Sequence, residues 1–559
     1  MAINSSTVTF NQTTPPVLKP LSEIEGVSSL GAELMNAADG GQARALIGTD
    51  EPGDTRPPST HNHDTVYYTK AQMDAVLAEK AALVHNHDTA YYTKAQVDAA
   101  LAAAQQRRCK YLMAQGVSCV GQAIISMDDQ IIVWGAAANG TLSQAEAATG
   151  IPMVLKINGT KTGTWIKVIA TRYNVAALTS TGEVWVWGDN TKGQLGLGDT
   201  TNTAKRYRYG HKVTIAGKII ADVTMAGGDT TSQSMYARCT DGTAFSWGYN
   251  FYGQLGINNT TDTGTPTQML VPAGTSTSIV EISAANAPFA HVVIRMADNR
   301  VHTCGYNGQG QLGLGDTTNR SQLVNVSGKS ATAVQACGVW DGTATYYGLT
   351  QIITTAGALQ SAGYNVNGAI GNASTTSSST FVSTSLNHTN VSSLVKNVAV
   401  AMTAGYIAST GIVWLAGLGG SGQLGNGSTS NSNVFIQPSG AFQGYVTKAI
   451  LGGITNGSAA CILLANTGAN NTGEVYVTGY NASGQQGDGS ATNATSFAKV
   501  PMPEAITDIG CSTHETASGV TAFFALGASG RVYSWGANAS GQCGQGHLQA
   551  VYVPCEVRL

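Results

Sequence analysis

Two tripeptides set histidines two residues apart, His61-Asn62-His63 and His85-Asn86-His87. In extended backbone, side chains two apart point the same way, so each pair can turn both imidazoles to one neighbour. Stacked, hydrogen-bonded histidines or plain solvation are the alternative. A second cluster, Arg206-Tyr207-Arg208-Tyr209 before His211-Lys212, mixes aromatic faces with cationic donors, and Trp340, Tyr346 and Tyr347 add similar groups further on. Aromatic faces beside such donors suit sugar rings and anionic sugars, through stacking and charge-assisted hydrogen bonds. The competing reading of Arg206–Tyr209 is a strand with its charges outward and its tyrosines packed between repeats.

Other chemistry is not evident. The chain has no nucleophile elbow, zincin helix or phosphate-binding loop in a convincing context. The glycine-rich Gly417–Gly422 stretch falls in a recurring turn. Cleavage of a glycan needs two carboxylates about the scissile bond. The acids here sit mostly at turn positions, as do Asp241, Asp298, Asp316 and Asp488, where turn formation explains them. Nine cysteines lack metal-site spacing, and Cys337 and Cys461 lie in apolar runs, so buried free thiols are expected. Charged residues are 11% of the chain and the net charge is −3, which argues against general attraction to nucleic acid or anionic membrane. No signal peptide or membrane span is expected either.

The elements that position these residues fall into three parts: 1–58, 59–108 and 109–559. The first is polar and proline-bracketed, with one helix-like piece. The second is a tandem repeat whose copies from His61 and His85 agree at 15 of 18 positions. In each, Thr69 or Thr93 with Gln72 or Gln96 fits a capping box, and Met73, Val76 and Leu77, or Val97, Ala100 and Leu101, make a narrow apolar stripe. Short helices of this kind are marginal alone in water and need partner helices, so an oligomer is expected there.

From Cys109 a longer repeat takes over, typified by Glu183-Val184-Trp185-Val186-Trp187-Gly188 followed by Gly193-Gln194-Leu195-Gly196. Copies aligned on Gly135, Gly188, Gly248, Gly305, Gly363, Gly417, Gly479 and Gly536 are 53 to 62 residues apart. The apolar run reads as a buried strand entered by a hairpin, and the period suits one four-stranded propeller blade. The leucine is expected to plug the neighbouring blade, and the glutamine amide to satisfy loop backbone groups. The expected fold is mainly β, a single-chain propeller of eight blades by repeat count, with seven as the alternative. The final strand, within 550–559, is expected to complete the first blade.

These copies resemble the propeller repeats of the regulator of chromosome condensation family, most closely around Trp187, Trp247 and Trp535. The consensus tryptophan is replaced by Cys304, Ala362, Ala416 and Thr478. Leu34, Ala37-Ala38-Asp39, Arg44, Leu46-Ile47 and Gly48 resemble a bacteriophage tail-fibre motif, and the histidine repeats resemble the stalks of trimeric tail fibres. That second resemblance implies a homotrimer on a short helical or extended stalk. In it, His61, His63, His85 and His87 would ring iron or another transition metal in octahedral nitrogen cages. It also implies a virion tail fibre, assembled in the host cytoplasm and joined to tail or baseplate proteins through 1–58. Its propeller would bind a bacterial surface glycan or outer-membrane protein without catalysis, with Arg206, Tyr207, Arg208, Tyr209, Trp340, Tyr346 and Tyr347 as receptor contacts. The alternative is an intracellular scaffold of exchange-factor or chromatin-binding type. A glycan depolymerase stands third.

Overall fold

The computed structural model describes residues 108–559 except 113–114, 117–120, 136–148, 172, 199–205, 228–231, 274–275, 277, 286–288, 341–345, 386–389, 399–401, 440–443, 454–457, 467–472 and 513–520. Residues 107–559 form one compact unit. Among the described residues all regular structure is β, and strand pairing assembles it into eight four-stranded antiparallel units. The second shows the plan: Trp165–Ala170, Asn174–Thr179, Val184–Asp189 and Arg206–Val213 pair in chain order. The first two strands and the third follow one another through short turns, and the Gly193–Gly196 motif lies in the longer connection to the outer strand. One continuous strand, Arg320–Trp340, is both the outer strand of the fourth unit and the inner strand of the fifth.

The repeated glycine is required by backbone crowding at the end of the third strand. Gly188 has φ of 109°, and a Cβ there would stand 2.0 Å from the Tyr173 carbonyl oxygen. The strand pair cannot open to admit it without losing the hydrogen bonds beside it.

The loop motif works through two side chains. Asn250 Oδ1 accepts the Leu255 amide at 2.9 Å, while its Nδ2 donates to the Asn259 carbonyl at 2.9 Å. Gln254 Oε1 accepts the Tyr252 amide at 3.0 Å. Gln194, Gln311, Gln423, Gln485 and Gln542 each accept an amide two residues earlier in the same way. The leucines enter cores shared with the next unit: Leu195 packs with Val223, Met225 and Trp247, and Leu424 with Val446, Cys461 and Leu463.

The tryptophan reaches in the opposite direction. Trp247 Nε1 donates to the Gln194 carbonyl of the preceding unit at 3.0 Å, Trp535 Nε1 to Gln485 O at 2.9 Å, and Trp187 Nε1 to Lys156 O at 2.8 Å. The same contact joins the ends of the array, because Trp134 Nε1 donates to Gln542 O at 2.8 Å. Cys109 N also donates to Gly530 O at 2.7 Å, and Phe524 and Trp535 share a core with Leu112 and Trp134.

The terminal strand departs from expectation. Val551–Glu556 pairs with Val532–Gly536 and so finishes the eighth unit. The first unit has four strands of its own, Cys109–Leu112, Gly121–Ser126, Ile131–Gly135 and Thr149–Val154. The strand that follows each loop motif hydrogen-bonds back to the strand before that motif, so the structural repeat begins with the inner strand and nothing is missing at Cys109. The first and eighth units therefore meet by packing and loop hydrogen bonds. The two-residue strand Gln115–Gly116 adds a short parallel link to Cys511 and Ser512.

Trp134→Phe keeps the ring but leaves the buried Gln542 carbonyl without its donor. A lost partner of this kind costs about 1–3 kcal/mol. Denaturant unfolding should show that loss, and an unchanged midpoint would mean that this contact contributes nothing to holding the ends together.

Candidate functional site

Six rings run without a break across the loops of the third, fourth and fifth units. Tyr249 stacks on Phe251 at 6.4 Å between centroids, and Phe251 meets Tyr252 edge-on at 4.9 Å. Tyr252 contacts Phe289 and Tyr306, both at 5.1 Å. Phe289 and Tyr306 in turn touch Tyr346, at 5.6 and 5.3 Å. The array is graded in exposure: Phe251 is 64% exposed, Tyr249, Tyr252, Phe289 and Tyr306 are half-buried, and Tyr346 is buried. Lys192 lies 5.6 Å over the Tyr249 ring, within cation–π range, and pairs with Asp262 at 3.1 Å. Burial raises the phenol pKa of both Tyr252 and Tyr306, so both hydroxyls are neutral donors at neutral pH.

A hydrogen-bonded chain fixes the buried end. Tyr346 Oη and His291 Nδ1 are 3.2 Å apart, His291 Nε2 and Thr350 Oγ1 are 2.9 Å apart, and Thr350 Oγ1 donates to the Gln311 carbonyl at 2.6 Å. Since the Thr350 proton goes to Gln311, Thr350 accepts from His291 Nε2–H, and Nδ1 accepts the Tyr346 proton. This assignment holds for the neutral imidazole, which burial favours by pushing the His291 pKa down to about 3.

The expected receptor residues are not brought together. Arg206, Tyr207, Arg208 and Tyr209 lie on the outer strand of the second unit, where Arg206, Arg208 and Tyr209 are exposed and Tyr207 meets His211 edge-on at 4.8 Å. The charges face outward as the competing reading expects, but Tyr209 is exposed instead of packed between repeats. Tyr346 anchors the aromatic array, whereas Tyr347 packs edge-on against Tyr364 at 4.7 Å. The backbone of Trp340 pairs with Tyr346, and 341–345 lie outside the described residues. His61, His63, His85 and His87 also lie outside them, and metal binding there stays a proposal resting on the repeated tripeptide. Elemental analysis of the purified chain, with and without His61→Ala and His85→Ala, would test it.

Tyr249, Phe251, Tyr252, Phe289 and Tyr306 were not singled out from the sequence. A signal existed: Gly-Tyr-Asn recurs at 248–250, 305–307, 363–365 and 479–481, placing an aromatic just past the strand end in four units. The four turn acids act as expected, since Asp241, Asp298, Asp316 and Asp488 each accept a backbone amide two residues on. The eight described cysteines are all free, and seven are buried. Among the described residues no group of three or more His, Cys, Asp or Glu could hold a metal ion.

Comparison with known proteins bears on what such a propeller is. The model of the regulator of chromosome condensation (RCC1) repeat matches residues 181–212, 241–287 and 529–559, and a second RCC1-repeat model matches 166–194. The chain carries RCC1 repeats. The Ultraviolet-B receptor UVR8 of Arabidopsis thaliana is 34% identical over 140 residues, covering 25% of this chain and 29% of its own length. The probable E3 ubiquitin-protein ligase HERC6 of Homo sapiens is 30% identical over 198 residues, 34% of this chain and 18% of that protein. Among solved structures, human WBSCR16 gives a TM-score of 0.47 at 17% identity over 77% of this chain and 94% of that one. Yeast RCC1 (Prp20) bound to Kap60 gives 0.48 at 14% identity over 85% and 90%. This chain spans less than a third of either curated relative.

These relatives overturn the expectation of a virion adhesin. They are plant and human proteins carrying the same repeats, and the tail-fibre reading rested on short motifs within 1–108. With it fall the tail or baseplate partner, the bacterial receptor and the virion location, whereas the expected stalk and homotrimer rest on 59–108, all but the last of which lie outside the described residues.

A pH test follows from His291. Its folded pKa lies below the ordinary ~6.5, so between that value and about 3 the unfolded chain binds the extra proton. Its contribution to stability is complete above pH 6.5 and is lost as pH falls towards 3, by up to ~1.4 kcal/mol per pH unit. His291→Gln should flatten the fall of stability over this window, and an unaltered slope would show that His291 titrates normally.

Proposed function

We propose that this chain is an intracellular scaffold of the exchange-factor type, whose propeller holds a folded protein partner against the aromatic array. One observation carries the reading: a continuous set of rings crosses three units and ends in the solvent at Phe251, while its other end is fixed by His291. Aromatic anchors on a rigid support are the groups that dominate binding energy at protein interfaces. The half-buried rings need little ordering when a partner arrives, which lowers the entropic cost of association. The RCC1 repeats, and relatives in which such repeats form only part of a larger protein, support a role in recognition.

On this reading the propeller itself is not an enzyme. The ligase relatives match over only 16–18% of their own length, so their activity is not carried over with the match. What the chain supplies is a fixed surface. Phe251 and Tyr252 would seat in a partner's apolar recess, and the Tyr252 and Tyr306 hydroxyls would meet polar groups at its edge.

The reading is tested by nucleotide release from a panel of purified small GTPases, with direct binding measured in parallel. Phe251→Ala, at an exposed position, should leave the fold intact and weaken binding roughly tenfold, since anchor residues typically cost more than ~1 kcal/mol when truncated. A parent chain that binds no member, or a Phe251→Ala variant that binds equally well, would refute it.

A further inference from the structure

The inner strands carry a second set of side chains with no part in the aromatic array. Each of the eight has a register shift near its start, after the first paired residue in seven and after the second, Val446, in the seventh unit, so the backbone bulges there and turns the following side chain. Among the residues so placed are Tyr111, Lys167, Asp222, Glu281, Lys448 and Asp508. Lys167 pairs with Asp222 at 2.5 Å, joining the second unit to the third, and Lys448 pairs with Asp508 at 2.5 Å, joining the seventh to the eighth. Tyr111 of the first unit lies within electrostatic reach of both Asp508 and Asp222. Units on either side of the seam thus converge here.

Lys396 stands in the middle of this convergence. It comes from the sixth unit, on the short strand Lys396–Val398, which pairs in parallel with the inner strand of the seventh. Its ammonium lies within electrostatic reach of Glu281 of the fourth unit, Lys167 of the second and Lys448 of the seventh. Groups from the second, fourth, sixth and seventh units of a ring can meet only near its axis. The side chain is accessible to solvent, yet protein surrounds it closely enough that burial lowers its pKa.

The acids around it are already taken. Asp222 and Asp508 hold Lys167 and Lys448, and Glu281 accepts from Arg295 Nε at 3.0 Å. No hydrogen bond or ion pair engages Lys396 among the described residues. Three lysine ammoniums against acids already matched leave one positive charge uncompensated within low-dielectric walls, although the chain as a whole carries −3. Such walls focus the field and raise the local concentration of an ion of opposite sign.

We propose that the axial channel binds a small oxyanion of the phosphate or carboxylate class on Lys396, with Lys167 and Lys448 supplying the surrounding positive field. The anion accepts a charge-assisted hydrogen bond from Lys396 Nζ, and the two neighbouring lysines keep their carboxylate partners. This site is independent of the aromatic array and of whatever protein docks there.

The test uses the full chain and inorganic phosphate at constant ionic strength, with acetate as a second arm to separate the two anion classes. Calorimetric titration should detect binding to the parent that falls about tenfold in Lys396→Met, the loss expected for one charge-assisted hydrogen bond, and stays within about threefold in Lys396→Arg. A readout without variants is reductive methylation mapped by peptide mass spectrometry. Bound phosphate should slow modification of Lys396 and leave that of Lys212, which is 47% exposed on an outer strand, unchanged. If neither anion binds, if Lys396→Met binds as the parent does, or if methylation of Lys396 is indifferent to phosphate and acetate, the proposal is wrong.

Discussion

The contact on which the molecule depends is the indole-to-carbonyl hydrogen bond between one unit and the loop of the unit before it. Four-stranded sheets of this size are marginal alone, and their apolar faces must be covered by a neighbour. The repeat supplies the cover and its alignment together. A tryptophan on the third strand reaches back to a loop carbonyl, and the leucine of its own loop reaches forward into the next core. Each unit is thus held on both sides by residues from one short motif.

Where tryptophan is absent, the carbonyls are met by other means. Cys304 Sγ lies 3.6 Å from Gln254 O, to which Tyr236 Oη donates at 3.1 Å, and Thr350, from a different strand, donates to Gln311 O at 2.6 Å. The loop carbonyl must be satisfied once buried, but the side chain that does so can vary. The Thr350 replacement also makes His291 possible. Because Thr350 spends its proton on the carbonyl, its oxygen is free to accept from the imidazole, which then orients Tyr346. A substitution within the scaffold contact is therefore what anchors the aromatic array.

The same ring geometry makes two surfaces with different chemistry. On the loops, side chains beyond the third strands lie side by side across neighbouring units, and aromatics placed there become one array. At the axis, inner strands from units far apart in sequence converge, and the bulges turn charged side chains towards one another. There ion pairing between and within units uses up the carboxylates and leaves Lys396 over.

The sequence by itself determined the repeat: its period, the recurrence of the strand-end glycine, the glutamine and leucine roles, the turn acids and the count of eight. The residue roles follow from chemistry within 20 consecutive residues, Thr179 to Gly198, and the period and count from the recurrence of that stretch. It misled on the last strand, because spacing alone cannot tell which neighbouring strand a segment will hydrogen-bond. It also grouped Arg206–Tyr209 with Tyr346 and Tyr347, which the fold sets on the outer strand of the second unit and in the fifth unit respectively. Tertiary structure alone decided that Phe251, Phe289 and Tyr346, nearly a hundred residues apart, form one array. It alone brought Lys396 within reach of Lys167 and Glu281. Those meetings depend on how the units are placed around the ring, which is set by the packing between sheets and leaves no local pattern in the chain.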